Sequence, residues 1–348
     1  MDRKFYAILK PLLVLGTFLG FPLPNEFGNR KRLSYGYLLL RRKKVCQLLK
    51  KWNQTGYFFP LLENNSVFRT ALISMASLFT TAVVETVLFD LSVSNHQIEK
   101  GENVKFFAKY FDSTIYKLSS IESSQLNNSV LLGILYIMSK IATIATDYCD
   151  SLCVVLCSGI SSRVESLNDH LRQRLYVVLE NKKNSIMNGG TNLFGANFYD
   201  EIVKLRQLSD QTSNFISPLI FTSLMVNVFS GVINLNQFIN VSSEFRQNQS
   251  VSVLVSITHY ILRVVVVIYF TSAVYAKSED LMGIIEEAPL STQALLPQRE
   301  SILNMVQRKP IGINFFNTFF ITRNFFISIL SFMFSIEIII LQTSSGTK

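Results

Sequence analysis

Five ionisable residues lie inside long apolar stretches of the sequence: Glu85, Lys140, Asp147, Asp150 and Arg263. Arg323 and Glu337 lie nearer the ends of another such stretch. A charge in hydrocarbon is costly, so such groups face partners or a water-filled cavity and mark ion or substrate paths. Lys140 and Asp147 share a helix face about two turns from each other, and Asp147 and Asp150 are neighbours one turn apart. Two readings follow. The groups line a cavity, or they form an internal ion-pair network that fixes helix packing.

A second pattern lies near the C-terminus. Ser331, Ser335, Ile338 and Gln342 recur at spacings of four, three and four, which places them on one semi-polar face of an otherwise Phe-, Ile- and Leu-rich helix. Such a stripe suits a helix that faces a water-filled pore. Small polar residues also mediate helix–helix packing in membranes, so that reading stands beside the first.

Other chemistry is poorly supplied. His96, His170 and His259 are scattered, with no nucleophile or metal ligand at useful spacing. Cys149, Cys153 and Cys157 form a stripe at i, i+4 and i+8. Zinc needs a fourth ligand and loop-type spacing, so the stripe reads as small packing residues inside a helix. No Gly-rich phosphate loop, GxSxG or CxxC motif is present. No enzymatic activity, metal or cofactor is expected.

The elements that must position these residues are membrane helices. Hydrophobic residues make up 49% of the 348 and charged residues only 16%, against about 25% charged in ordinary soluble domains. Five stretches are long enough to cross roughly 30 Å of hydrocarbon as helices: 68–92, 129–160, 215–240, 251–276 and 313–343. Residues 5–24 are a weaker candidate. The expected fold class is therefore all-α, a polytopic transmembrane helical bundle with five clear spans.

The formal net charge of +9 does not point to nucleic acid. Its basic residues gather at 30–32, 41–44 and 50–51, beside apolar segments. The segment before the first span holds twelve Lys and Arg and the 161–213 loop seven, whereas the 93–128 and 241–250 loops are poorer and carry compensating acids. Basic loops belong on the cytoplasmic side. This predicts an N-terminus inside and, after five crossings, a C-terminus outside. Glycosylation sequons at Asn127, Asn240 and Asn248 fall on the predicted outer side, while those at Asn53 and Asn64 fall inside. Both ends of the 161–213 loop show helical spacing, as at Val164, Leu167, Leu171 and Leu175, and read as membrane helices continued into the cytoplasm.

The C-terminal stretch FFNTFFITRNFFISILSFMFSIEIIILQT resembles the signature of insect gustatory receptors: a Phe-rich segment, an Ile-Thr-Arg-like triplet (Ile321-Thr322-Arg323), and an ending whose spacing is kept although only Gln342 of its four named positions is retained. Glu337 followed by IIIL is similar to the sugar-receptor branch. DYCDSLCVVLCSGISSRVESLNDHL resembles the family's fourth helix, with Asp150 at its acidic position, and Asn227 matches an Asn of the fifth. AVVETVLFD resembles the third, with Glu85 matching and Thr86 where the branch carries His. Most of the family's first two helices are expected to be missing between RKRLSYGYLLL and RRKKVCQLLKKW, which leaves the sidedness of everything downstream unchanged.

The resemblance implies a seven-helix receptor of the cell membrane acting as a ligand-gated, non-selective cation channel for sugars or related small molecules. Its partners would be the lipid bilayer, a sugar-like tastant and further subunits in a homo- or hetero-tetramer. It implies a pore lined by Ser335, Ile338 and Gln342, and a pocket lined by Glu85, Asp150 and Asn227. Residues 1–67 would be a cytoplasmic segment with degenerate first helices, 68–240 the pocket helices with their cytoplasmic extension, and 251–343 the last two helices. A non-conducting or truncated subunit, or a G-protein-coupled receptor-like protein, is the alternative.

Overall fold

The computed structural model describes residues 65–100, 129–183, 196–240, 246–287 and 296–345. They form α1 (Asn65–Lys100), α2 (Ser129–Lys183), α3 (Ala196–Asn240), α4 (Arg246–Glu287), α5 (Leu296–Arg308), a hairpin of β1 (Asn314–Phe315) and β2 (Phe319–Phe320), and α6 (Asn324–Ser345). The architecture is an all-α polytopic bundle. Four of its helices carry stretches long and apolar enough to span a membrane: Arg69–Leu88, Thr143–Val177, Phe198–Leu235 and Val253–Glu287. The expected shortening of the first helices, the 5–24 segment and the sequon sites at Asn53 and Asn127 lie outside the described residues.

Buried Ser and Thr are tolerated in these helices because their hydroxyls bond back to the preceding turn. Thr212 donates to the Leu208 carbonyl at 2.8 Å and Thr271 to that of Val267 at 2.7 Å. Pro218 inside α3 removes one backbone donor, a loss that membrane helices absorb through such side chains.

Two boundaries differ from expectation. The 277–312 segment is largely helical, because α4 runs on to Glu287 and α5 follows. The helix expected from residue 313 begins only at Asn324. The intervening FNFFNTFF-like run folds as a hairpin in which Phe316 (φ 50°) and Asn317 (φ 61°) are left-handed, a backbone state that no α-helix accepts. From Asn324, α6 has 22 residues, about 33 Å at 1.5 Å per residue.

The described residues divide into two compact units. The first contains 65–74, 150–222 and 265–329; the second contains 75–149, 223–264 and 330–345. Aliphatic side chains fill the first unit's core, among them Ile160, Leu167, Ile202, Leu205, Leu281 and Ile285. Polar groups tie its helices together. Lys277 pairs with Glu165 at 3.0 Å, Asn168 donates to the Lys277 carbonyl at 3.0 Å, and Arg206 donates to the Met305 carbonyl at 2.7 Å. The second unit has a thinner aliphatic core, with Met75, Leu78, Val228 and Val232, and holds the densest set of buried charges.

Candidate functional site

In the second unit, α1, α2, α3 and α4 each contribute polar side chains to one nest. On α1, Thr81 and Glu85 are one turn apart; on α4, His259 and Arg263 are as well. Each pair therefore shares a face. His259 is 1% exposed, Arg263 2%, Asp147 of α2 4% and Glu85 13%. Arg263 Nη1 lies 3.2 Å from Asp147 Oδ1. His259 Nε2 lies 3.7 Å from Glu85 Oε2 and 3.9 Å from Asp147 Oδ1, and its Nδ1 lies 2.9 Å from Thr81 Oγ1. The Tyr260 hydroxyl donates to the Glu85 carboxylate and bonds with the Ser230 hydroxyl of α3.

The hydrogen-bond network assigns the imidazole tautomer. The Thr81 hydroxyl has one proton, and it points back to the carbonyls of Ser77 (2.9 Å) and Leu78 (3.0 Å). Thr81 Oγ1 therefore accepts from His259 Nδ1–H. In a neutral imidazole Nε2 is then an acceptor, and it faces two carboxylate oxygens at distances too long for a direct hydrogen bond. The nest is rich in acceptors within reach of one another, with Arg263 holding one carboxylate in place. It is suited to a ligand that donates several hydrogen bonds from a small volume.

The sequence-derived pocket residues separate. Glu85 is in the nest. Asn227, fully buried, donates from Nδ2 to Ser223 Oγ at 3.0 Å on α3, one turn from Ser230. Asp150 is 1% exposed and belongs to the first unit. His259 and Thr81 were not singled out by sequence reasoning. Their signal was available as two i, i+4 polar pairs, Thr81/Glu85 and His259/Arg263, on apolar helices.

On α6, Ser331, Ser335, Ile338 and Gln342 are all exposed along one face, and Ser335 bonds back to the Ser331 carbonyl at 2.8 Å. Phe332, Phe334 and Ile339 on other faces are exposed too. The inward side is marked by Met333, whose Cε would meet a Cβ at Gly231 of α3 at 2.9 Å. The Cys153 and Cys157 side chains are buried along α2, and the side chains of Lys140 and Glu337 lie outside the described residues. An open groove at Arg172, Tyr176, Glu279, Asp280 and Glu287 in the first unit carries both signs of charge and none of the nest residues.

A family model described as trehalose receptor matches residues 35–348. No curated protein matches the chain in a sequence search. Among solved structures, the chain is similar to the insect olfactory receptor OR5 from Machilis hrabei, with 13% identity and a TM-score of 0.54 over 96% of this chain and 97% of that one. It is also similar to the same receptor in complex with eugenol, with 14% identity and a TM-score of 0.51 over 97% and 99%. At such identities the likeness is one of fold.

Proposed function

The chain belongs to the trehalose receptor family and is a multi-pass membrane chemoreceptor, and from that premise we propose that it is a ligand-gated, non-selective cation channel opened by a sugar or a related polyol. The observation that carries the ligand class is the nest of His259 Nε2, Glu85 and Asp147, at 3.7 and 3.9 Å. A hydroxyl seated among these acceptors donates to a carboxylate, and a neighbouring hydroxyl on the same ring serves the second. Buried polar groups of this kind give a pocket its selectivity, because an analogue without the hydroxyl leaves them unpaired. The ligand of the similar olfactory receptor, eugenol, is likewise a small molecule.

The conducting path is assigned to α6, with Ser335, Ile338 and Gln342 facing the pore of a tetramer, homomeric or with other receptor subunits. Asn227 extends the pocket along α3. The protein sits in the plasma membrane of sensory neurons with its N-terminus inside. Expression in a cell without native taste receptors, with any required partner subunit, tests the reading. Trehalose and other sugars should evoke an inward current that reverses near zero millivolts with sodium and potassium exchanged. Sugar binding to purified protein without any current, under all subunit combinations, rejects the channel half; current evoked only by apolar compounds rejects the ligand half.

A further inference from the structure

In the first unit the chain between α5 and the hairpin is buried, extended backbone: Ile311, Gly312 and Ile313 are all inaccessible. Backbone polar groups buried outside regular structure must find partners. The backbones of α3 and α4 are already occupied by their own helical bonds, so only short side chains can serve a strap lying against them. Four serines do so. Ser209, Ser213 and Ser217 recur one turn apart on one face of α3, and Ser278 comes from α4.

The partners can be traced group by group. The Ile311 N–H donates to Ser278 Oγ at 3.0 Å. The Gly312 carbonyl accepts from Ser209 at 2.8 Å and faces the Ser213 hydroxyl at 3.4 Å. The Ile313 carbonyl accepts from the Ile321 N–H at 3.0 Å, closing the hairpin. The Asn314 N–H donates to Ser213 Oγ at 3.1 Å, and the Asn314 carbonyl accepts from Ser217 at 3.0 Å. A Cβ at Gly312 would lie 2.9 Å from Phe320 and 3.2 Å from Tyr275, so the strap is pressed flat from its other side as well. The hairpin then carries the attachment into α6, where Phe325 meets Phe319 at 5.3 Å and Phe315 at 6.3 Å between ring centres. The first unit ends within α6, at Ile329.

Releasing the strap would leave several buried donors and acceptors unpaired at once. We infer that Ser209, Ser213, Ser217 and Ser278 weld residues 311–314 to α3 and α4, making the base of α6 a fixed fulcrum on which the remainder of that helix moves during gating. The gating role rests on the channel reading; the weld itself does not. The serines are positioning residues that touch neither ligand nor ion.

Hydrogen–deuterium exchange on purified full-length protein tests the weld without needing current. Ser213→Ala should speed exchange of the Asn314 amide, and Ser278→Ala that of Ile311, each by about fivefold or more, the equivalent of one hydrogen bond. Ser272→Ala, which removes a hydroxyl that bonds back to the Tyr269 carbonyl of its own helix, should change neither. Trehalose added to the wild type should leave both amides protected. In recordings, Ser213→Ala should raise the half-maximal trehalose concentration several-fold at unchanged surface labelling, and Ser272→Ala should not. Unchanged amide exchange in both weld variants overturns the weld. Faster exchange with an unaltered dose–response, or loss of strap protection on adding trehalose, overturns the fulcrum. If the wild type conducts under no condition, the channel reading falls and the fulcrum with it, while exchange still decides the weld.

Discussion

Arg263 Nη1 sits 3.2 Å from Asp147 Oδ1, with both side chains almost wholly buried. This contact joins α4 to α2 within the second unit and turns two costly charges into one structural element. Removing one partner of a buried pair leaves the other uncompensated, at about 3–5 kcal/mol. Arg263→Met or Asp147→Leu alone should therefore reduce folded protein at the cell surface sharply. The double variant, which removes both charges, should recover surface expression while the sugar response stays lost. Surface biotinylation beside current recording separates the two effects. Full recovery of both would show that the pair serves packing alone.

His259 is the hub of the nest and the test of its ligand chemistry. His259→Phe keeps a ring of similar size and removes both nitrogens. At matched surface level it should raise the half-maximal sugar concentration by about tenfold or more, the effect of losing one or two hydrogen bonds to buried charged groups. Thr81→Val removes only the group that orients the imidazole, so its shift should be smaller. An equal or larger effect for Thr81→Val would place the ligand elsewhere.

The pore assignment predicts an effect on ions and none on ligand. Gln342→Lys or Ile338→Lys on α6 adds a positive charge to the proposed path, which should cut cation conductance or shift the reversal potential. The half-maximal sugar concentration should stay within about twofold, well below the tenfold that 1.4 kcal/mol of binding represents. Unaltered conductance in both variants removes these positions from the pore.

The hairpin before α6 holds a testable backbone constraint. Asn317 has φ 61°, a region open to Gly and Asn but costly by about 1–2 kcal/mol for other residues. Asn317→Gly should be neutral, whereas Asn317→Val should lower the thermal midpoint of purified protein. Phe316, at φ 50°, is held there by ring contact with Phe221 at 5.8 Å and Phe315 at 4.8 Å. Phe221→Ala should therefore lower the midpoint as well, by releasing the ring that stabilises the turn.

Gly231 and Met333 report on the seat of α6 in the second unit. A Cβ at Gly231 would meet only the mobile end of Met333, at 2.9 Å, so Gly231→Ala should leave gating unchanged. Gly231→Phe needs far more room and should displace α6, altering the ratio of resting to evoked current. Met333→Ala in the same chain should partly restore it.

Much was determined by the sequence alone. Apolar stretches free of charge announce membrane helices because hydrocarbon forbids unpaired backbone groups, and each helix satisfies its own. The cytoplasmic continuation of α2 and α3 was legible in the spacing of Val164, Leu167 and Leu171, and the costly charges at Glu85, Asp147 and Arg263 stood out against their neighbours. What the tertiary structure decided is which of these meet. Periodicity places Thr81 with Glu85, and His259 with Arg263, but says nothing of which helix faces which, so His259 looked solitary until α1, α2 and α4 converged on it. The same holds for the start of α6. Its Phe-rich run is apolar enough to be helical, and only ring contacts from Phe221 together with the serines of α3 and α4 hold residues 311–320 as a strap and hairpin. Local patterns arise from contacts within a few residues; the nest and the strap depend on hydrogen bonds between residues about 100 or more apart, which no local pattern encodes.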